Sequence, residues 1–398
     1  MNSANERAAL LRLILILAVA FAVRTLFGIF LPAQHLPDAG AYRTAALEFR
    51  HLHLMANNDI MPLYPLFVAI VGDGWRQILA DIILSVASVY LVYLITLRVY
   101  RDETVALIAA LFCALWPHFV FFAVVGLTET LFITLILAAF VCLFDRRYAL
   151  ASVFLVLSIL TRPSMELLAP LLIFYFSVVL HREAFRIGVR RIITYGLIYA
   201  ALMAPWWAYN YARYGQFVRL DLAAGMVLYT GNNPMNVTGG GIAGKARDVD
   251  LGAFSNFADP VRRDEALRKA AVQYIKSDPL HFIAMMPVKF ARLWQPWPHA
   301  DEFKNPLIVI VSVVSAMHAF ILALIGLALT LRRYFTALLP CLVYLAYITL
   351  VHVVTFGSVR YRVPMEPFVL MLAAAGLVEL LRKLKVGRQL LSPLSSTR

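Results

Sequence analysis

The sequence predicts an all-α polytopic membrane protein with about ten transmembrane helices, because it is apolar, sparsely charged and interrupted by spaced basic clusters. Of its 398 residues, 62% are hydrophobic and 15% are charged, and the mean hydropathy is +0.76. In a typical soluble domain, about a quarter of the residues are charged. Several apolar runs also reach the ~20 residues that an α-helix needs to cross a bilayer.

The basic clusters predict how these helices are connected. Membrane proteins keep such clusters on the cytoplasmic side, so each interval between neighbouring clusters crosses the bilayer an even number of times. This rule places both termini in the cytoplasm, and it explains the formal charge of +13 without a nucleic-acid partner. The clusters are Arg7 and Arg12; Arg98 and Arg101; Arg146 and Arg147; Arg182, Arg186, Arg190 and Arg191; Arg332 and Arg333; and Arg382, Lys383, Lys385 and Arg388.

Two of the apolar runs need a specific interpretation. The N-terminal run over residues 10–32 has no small-residue cleavage site after it, so we expect a retained helix rather than a signal peptide. The run over residues 148–180 is too long for a single crossing and has basic clusters at both ends. We expect two short helices that meet at Arg162 and Pro163, because proline disfavours the helical conformation at the residue before it.

This topology divides the chain into three parts: two helical modules and, between them, a large outer loop. The parts are an N-terminal module of helices 1–7 over residues 1–209, which includes a first outer loop over residues 32–76; a second outer loop over residues 210–304; and a C-terminal module of helices 8–10 over residues 305–398.

The second outer loop predicts two helices of its own. Asp259 followed by Pro260 is a helix-start signal. The stretch over residues 279–297 mixes tryptophans with Lys289 and Arg292. Such a mixture is typical of an amphipathic helix that lies in the membrane interface.

The polar residues outside the basic clusters fall on the outer face of this topology. Arginine presents a planar fork of donors that suits phosphate oxygens, so Arg162, Arg360 and Arg362 predict a phosphate-binding cavity open to the outer leaflet. Plainer interpretations remain open. Arg162 can pair with Glu129 or Glu166, and the other two arginines can reach the interface as snorkelling side chains.

Asp38 follows directly after the first apolar run and predicts a general base at the membrane surface. It also fits a loop acid that pairs with Arg43. Tyr64, which lies between two prolines, also fits simple packing at the interface. No cysteine or histidine spacing resembles a disulfide framework or a metal site.

A set of motifs occurs in order along nearly the whole chain: PDAGAYRTAA, MPLYPLFVAI, GLTETLF, LTRPSMELLAP, WWAYNYARYGQFV, GNNP and FGSVRYRVPMEPF. This set resembles bacterial relatives of protein O-mannosyltransferases and of the transferases that attach aminoarabinose to lipid A. Both belong to the C-type (GT-C fold) superfamily of membrane glycosyltransferases.

The resemblance implies a glycosyltransferase in the bacterial cytoplasmic membrane, with its active site facing the periplasm. Its donor would be a polyprenyl-phosphate sugar, and its acceptor a glycolipid, a glycan or a protein. Asp38 matches the catalytic acid, and we expect it to act as general base in an inverting single displacement. Arg162, Arg360 and Arg362 match positions that bind the donor phosphate. The candidate substrate-binding residues are Tyr42, Tyr64, Glu129, Asn232, Asn233, Lys289, Arg292 and Tyr361.

The first loop departs from the pattern of many relatives, which carry two acids close together. Here Asp38 is followed by Ala39 and Gly40, and the next acid is Glu48. One carboxylate is a poor ligand set for a hard cation, so we expect no cofactor and disfavour a divalent metal.

Two functions of other classes stay open. A transporter or flippase for a lipid-linked, phosphate-containing substrate could use the same arginines, although transporters often show repeats and interrupted helices at mid-membrane. A membrane scaffold that binds a partner through its outer loops would not need Asp38.

Overall fold

The structure, a computed structural model, describes residues 3–31, 36–241, 249–298 and 305–384, with side chains from residue 7. The predicted loop segments 32–35, 242–248 and 299–304, and the basic residues beyond 384, lie outside this range. The described residues form sixteen α-helices and contain no β-strand. The helices of the first half are α1 Ser3–Phe30, α2 Pro37–Arg50, α3 Leu63–Val71, α4 Trp75–Tyr100, α5 Glu103–Leu115, α6 Pro117–Phe122, α7 Glu129–Phe144 and α8 Tyr148–Thr161.

The second half continues in the same all-helical manner. A π-helical turn over Tyr175–Leu180 extends α9, and short 3-10 turns lie at Pro163–Met165, Gly252–Phe254 and Val363–Met365. The helices are α9 Leu168–Phe174, α10 Phe185–Tyr214, α11 Ala224–Gly231, α12 Pro260–Ser277, α13 Pro279–Trp294, α14 Pro306–Val354, α15 Val359–Arg362 and α16 Glu366–Lys383.

The chain is an all-α membrane protein. Among the described residues, five helical segments are long and apolar enough to cross a bilayer, and four shorter apolar helices accompany them. The predicted number of about ten crossings stays a prediction. In α14, which has 49 residues, Tyr334 leaves the helical conformation (φ −115°, ψ 17°) directly after Arg332 and Arg333. Since 49 residues would extend roughly 74 Å, this kink divides α14 into two lengths that each suit one crossing.

Two predicted local features are confirmed. Helix α8 ends at Thr161, and Arg162 is extended (φ −150°, ψ 123°) in front of Pro163. In the second loop, Asp259 caps α12 by accepting a hydrogen bond from the Val261 amide at 2.9 Å, and Pro260 is the first helical residue.

The core lies where α7 and α16 pass through the bundle with almost all their residues buried. The Phe140 and Phe368 rings meet there with their centroids 4.8 Å apart. Helices α14 and α16 cross backbone to backbone at two glycines. A Cβ atom on Gly376 would lie 2.1 Å from the Leu322 carbonyl oxygen, and one on Gly326 would lie 2.0 Å from that of Leu372. Small residues allow such close crossings in membrane bundles.

Arg24 joins α1, α4 and α5 and is fully buried. Its Nε donates to Ser85 Oγ at 2.7 Å. Its Nη1 donates to the carbonyls of Ala20 at 3.0 Å and Ala114 at 2.8 Å, and its Nη2 donates to that of Cys113 at 3.2 Å. The last two carbonyls belong to the final turn of α5, where backbone acceptors have no partner within the helix. The guanidinium therefore caps the negative end of α5.

The predicted amphipathic stretch in the second loop is largely α13, whose faces differ as expected: Phe290 is exposed, whereas Leu293 is buried. Its position relative to the bilayer stays a prediction. Lys289, expected on the polar face, is fully buried instead. Glycines 239 and 357 leave room for it against the neighbouring backbone.

Candidate active site

Four charged side chains form a continuous chain of ion pairs at one end of the bundle. Arg162 Nη1 donates to Glu129 Oε1 at 2.8 Å. Arg360 donates through Nε to the same carboxylate and through Nη1 to Asp38 Oδ2. The Glu129 carboxylate is fully buried, whereas 55% of the Asp38 side chain is exposed. The chain of charges therefore runs from the protein interior to an accessible surface.

Each of these residues lies where a helix begins or ends. Asp38 is in the first turn of α2 behind Pro37, a position that favours an acid through the helix dipole. Glu129 is the first residue of α7, and Arg162 follows the end of α8. Arg360 lies in the one-turn helix α15. Helix ends bring side chains from four distant parts of the sequence to one place.

Aromatic rings surround the ion pairs. The Arg162 guanidinium lies 5.3 Å from the Tyr361 ring and 5.9 Å from the Phe132 ring, within the range of cation–π attraction. Tyr361 stacks on His352 with ring centroids 4.3 Å apart. Tyr42 meets Tyr64 edge to face at 5.3 Å, and burial raises the pKa of Tyr42, so its phenol stays protonated.

Tyr64 belongs to a buried network that sequence reasoning missed. Its hydroxyl donates to Asp81 Oδ2 at 2.9 Å and accepts from Gln77 Nε2 at 3.0 Å. Both Tyr64 and Asp81 are completely buried, and a substrate-binding role for Tyr64 stays a prediction. An acid and an amide within a predicted transmembrane helix are the signal that could have pointed to this network.

Arg362 does not join the other two arginines. It is fully buried and donates through Nε to Glu366 Oε1 at 3.0 Å and through Nη1 to the Gln295 carbonyl at 2.6 Å. Glu366 also accepts from Trp116 Nε1 at 2.5 Å and pairs with His118 Nδ1 at 2.8 Å. A donor phosphate could reach Arg362 only after these contacts break. Neither Trp116 nor His118 was predicted to take part in the site.

The side chains of Asn232 and Asn233 form hydrogen bonds within the protein. The Asn232 amide donates to the carbonyls of Leu228 and Val354, both at 2.9 Å. The Asn233 amide donates to the Tyr229 carbonyl at 2.9 Å. Both asparagines are buried, so they shape the loop after α11 and do not face the ion pairs as free groups.

Lys289 and Arg292 flank the same loop. Lys289 Nζ donates to Asn232 Oδ1 at 2.8 Å. Arg292 packs closely under Gly240, where a Cβ atom would lie 2.6 Å from Nη2, and it lines an open cavity of about 690 Å³ together with Trp294. These residues form a second cluster, beside the site and not within its ion pairs.

An apolar groove of about 690 Å³ lies between α13, α14 and α16. Phe290, Trp294, Phe320, Leu345 and Leu372 are among its lining side chains, and almost all of its surface is hydrocarbon. Trp294 also borders the cavity beside Arg292, so the groove begins next to the second cluster, which contains Lys289 and Arg292.

Within the described part of the chain, no group of three or more His, Cys, Asp or Glu side chains is placed to hold a metal ion. Asp38 and Glu129, the acids of the ion-pair chain, each face arginine. The expectation that no metal or cofactor takes part stays a prediction.

The fold is similar to that of solved structures, although no protein-family model and no curated protein matches the sequence. The archaeal oligosaccharyltransferase AglB from Archaeoglobus fulgidus, in complex with an inhibitory peptide and a dolichol-phosphate, aligns over 99% of this chain and 52% of its own, with a TM-score of 0.60 and 15% identity. The same enzyme tethered to an acceptor peptide aligns over 96% of this chain and 50% of its own, with a TM-score of 0.57 and 15% identity.

ArnT from Cupriavidus metallidurans, bound to undecaprenyl phosphate, aligns over 96% of this chain and 79% of its own, with a TM-score of 0.41 and 15% identity. The present chain spans about half the length of the archaeal chains. AglB is a membrane glycosyltransferase of the GT-C fold, and its helices superpose on nearly all of this chain. The chain therefore has the GT-C fold of the membrane glycosyltransferases, as its motifs predicted.

Proposed function

We propose that this protein is an integral-membrane glycosyltransferase that moves a sugar from a polyprenyl-phosphate donor to an acceptor on the periplasmic face of a bacterial cytoplasmic membrane. The observation that carries the proposal is the ion-pair chain of Asp38, Arg360, Glu129 and Arg162 on a GT-C fold. The AglB structure that contains a dolichol-phosphate supports a lipid-linked donor.

The donor phosphate would meet Arg360 and Arg162. Both guanidinium groups are partly exposed, with 27% and 17% of their side chains accessible. The exposed Asp38 carboxylate on Arg360 occupies a place that phosphate oxygens could take, because carboxylate and phosphate are both anionic and accept paired hydrogen bonds from arginine, while the buried Glu129 keeps both arginines in place. The apolar groove beside α13 offers room for part of the prenyl chain.

Asp38 is the proposed general base. When the donor phosphate takes Arg360, Asp38 loses its ion pair and becomes free to accept a proton. The acceptor hydroxyl oxygen then attacks the anomeric carbon and forms the new glycosidic bond. The bond from that carbon to the phosphate oxygen breaks, the lipid phosphate leaves with the electron pair, and the hydroxyl proton passes to Asp38. A single displacement of this kind inverts the anomeric centre.

The remaining predicted residues have supporting parts in this proposal. Arg362 and Glu366 hold the segment that carries Arg360, so we assign Arg362 a positioning role and not a direct phosphate contact. The three-part division fits this scheme. The N-terminal module carries the base, the second loop supplies acceptor contacts, and the C-terminal module carries Arg360.

The test is sugar transfer by the purified protein in detergent. Polyprenyl-phosphate hexoses and pentoses are offered with envelope lipids and peptides, and mass spectrometry follows the free lipid phosphate and the glycosylated product. We expect free lipid phosphate and an acceptor with one added sugar, and NMR of the isolated product should show the inverted anomeric configuration. A flippase would move the labelled donor across proteoliposomes while leaving its phosphate–sugar bond intact, and that result would replace the proposal.

A further inference from the structure

Four residues connect α14 to the helix that carries Arg360. We call residues 355–358 the strap. Thr355 leaves the helical conformation (φ −90°, ψ −101°), and Ser358 is extended (φ −149°, ψ 142°) before α15 begins at Val359. The Thr355 amide still donates to the Val351 carbonyl at 3.0 Å, but the chain then leaves the helix, so the position of Arg360 depends on what the strap rests on.

The strap rests on the loop that follows α11, at a spacing that only glycines allow. The Gly357 amide donates to the Gly239 carbonyl at 2.9 Å. A Cβ atom on Gly231 would lie 1.8 Å from the Thr355 carbonyl oxygen. A Cβ atom on Gly241 would lie 2.7 Å from the Phe356 ring, which in turn meets Tyr361 at 5.4 Å. A displacement of the loop would therefore be passed to the strap by direct contact.

Lys289 joins these two segments from the side of α13. Its Nζ donates to Asn232 Oδ1 at 2.8 Å and lies 3.5 Å from the Val354 carbonyl oxygen. The Asn232 amide donates to that same carbonyl at 2.9 Å. On the other side, a Cβ atom on Gly357 would lie 2.3 Å from the Lys289 carbonyl oxygen. The Lys289 side chain thus touches the loop and the end of α14, where the strap begins, and its backbone carbonyl touches the strap itself.

A charge at this place is costly. Lys289 is fully buried, and no carboxylate pairs with it among the residues that the structure describes. Its partners are neutral oxygens and the Phe282 ring, 5.6 Å from Nζ. Burial lowers the pKa of Lys289 to about 8. A hydrophobic side chain would fill the same space without this desolvation cost, so packing alone does not account for a lysine.

We propose that Lys289 is a positioning residue that ties the end of α14, from which the strap departs, to the loop after α11 and thereby aims Arg360 at the donor phosphate. The proposal rests on the proposed function, because the phosphate role of Arg360 is part of it. Lys289 itself would touch neither donor nor acceptor, since its Nζ is enclosed by Asn232 and the end of α14.

The first experiment needs no substrate. Hydrogen–deuterium exchange is compared between the wild type and Lys289→Met over a peptide that spans residues 354–362. We expect faster exchange in Lys289→Met, by about tenfold at the strap amides, and unchanged exchange in α7. Lys276→Met is the matched control, because Lys276 is an exposed lysine at the end of α12. Equal exchange in the wild type and Lys289→Met would overturn the proposal.

The second experiment separates positioning from a general loss of structure. We expect Lys289→Met to lower kcat by about 10- to 100-fold with little change in the donor KM, since a catalytic group misplaced by ~1 Å can cost about 100-fold. In an Arg360→Ala background, Lys289→Met should lower kcat by less than threefold, because the guanidinium group that Lys289 positions is absent. An equal loss in both backgrounds would show that Lys289 does not act through Arg360.

Failure of the function and failure of the positioning role are distinguishable. If the wild type transfers no sugar from any donor, the proposed function falls, and the exchange experiment alone decides the role of Lys289. If the wild type is active and Lys289→Met is equally active, only the positioning role falls. Should Lys289→Met not fold, Lys289→Gln replaces it, because glutamine keeps a polar donor on a stem too short to reach both partners.

Discussion

Glu129 is the residue on which the charges of the site converge. It is fully buried and accepts hydrogen bonds from two arginines, which themselves reach the surface. Neither arginine could be held at this depth without an acid, because an isolated charge in a membrane protein is costly. Glu129 is therefore the fixed point of the site, and Asp38 is the member that can exchange its partner.

Replacing Asp38 by Asn should abolish catalysis without abolishing donor binding. A general base contributes about 10²- to 10⁴-fold, so we expect kcat to fall by that factor. Binding of lipid phosphate, measured by the quenching of tryptophan fluorescence, should stay within a few-fold of the wild type. Glu48→Gln is the control, because Glu48 lies on the same helix and its carboxylate accepts from the Ala56 amide at 3.1 Å. Normal transfer by Asp38→Asn would contradict the assignment of the base.

Replacing Glu129 by Gln should destabilise the protein while strengthening anion binding. Breaking a buried ion pair costs about 3–5 kcal/mol, and the partial exposure of both arginines reduces this to roughly 2–3 kcal/mol. The freed guanidinium groups should bind lipid phosphate more tightly. Thermal unfolding in detergent and lipid-phosphate titration measure the two effects. Glu265→Gln, at an exposed pair with Lys269, should change neither. Weaker phosphate binding in Glu129→Gln would argue against the role of the arginines.

At the residue scale, the topology predicted from the sequence puts Asp38, Glu129, Arg162 and Arg360 on one face, and the structure joins these four side chains by ion pairs. The sequence could not separate Arg360 from Arg362, because both flank Tyr361 in the same motif. Residues two apart on a helix point about 200° away from each other, so only one of them could face the site. Arg360 faces the site because it pairs with Glu129, which lies far away in the sequence. Arg362 instead pairs with Glu366, one helical turn further along the chain.

At the scale of elements, the ends of helices were more predictable than their contacts. Pro163 ends a helix because it disfavours the helical conformation at the residue before it, and Asp259 with Pro260 begins one by capping. Both effects depend on neighbouring residues only, so they can be predicted from the sequence. The burial of Lys289 and the glycine crossing of α14 and α16 depend on residues distant in the chain. No periodic pattern records such contacts, and so they were not predicted.

The crossing of α14 and α16 makes a prediction of its own. Gly376→Ala would force a Cβ atom to within 2.1 Å of the Leu322 carbonyl oxygen, so the two helices must separate. Overpacking costs about 1–3 kcal/mol, and we expect a lower unfolding temperature in detergent. Gly196→Ala is the control. Gly196 is within α10 with nothing nearby, so alanine there should be neutral or stabilise by up to about 1 kcal/mol. An unchanged unfolding temperature in Gly376→Ala would contradict the close crossing.

At the scale of the whole molecule, three carboxylates, Asp59, Asp221 and Asp264, lie close together where the first loop meets the second. The Leu222 amide donates to the Asn58 carbonyl at 2.9 Å, and the Gly225 amide donates to Asp264 Oδ1 at 2.6 Å. Asp221 lies between these contacts. Burial raises the pKa of Asp221 to about 7, and the nearby charges of Asp59 and Asp264 add to this.

The docking of the two loops should therefore weaken as the pH rises. In the folded state Asp221 binds a proton up to about pH 7, whereas in the unfolded chain it loses that proton near pH ~4. The free energy of unfolding consequently falls between about pH 4 and pH 7, and the contribution of Asp221 no longer changes above pH 7. Hydrogen–deuterium exchange of residues 221–225, corrected for intrinsic rates, should be faster at pH 8 than at pH 5.5. Asp221→Asn should remove this difference, and a difference that persists in the variant would assign it to another group.

Arg24 has a consequence for the way in which this membrane protein is made. Three of its acceptors are synthesised after it: Ser85 follows by 61 residues, Cys113 by 89 and Ala114 by 90. At roughly 5–20 residues per second, the last one emerges about 5–18 s after the arginine. During that interval the first helix holds an unpaired cation, at a cost of roughly 2.5–3.5 kcal/mol at mid-bilayer. The nascent helix must therefore keep Arg24 in the insertion machinery or near lipid headgroups until α5 arrives, which couples translation order to bundle assembly.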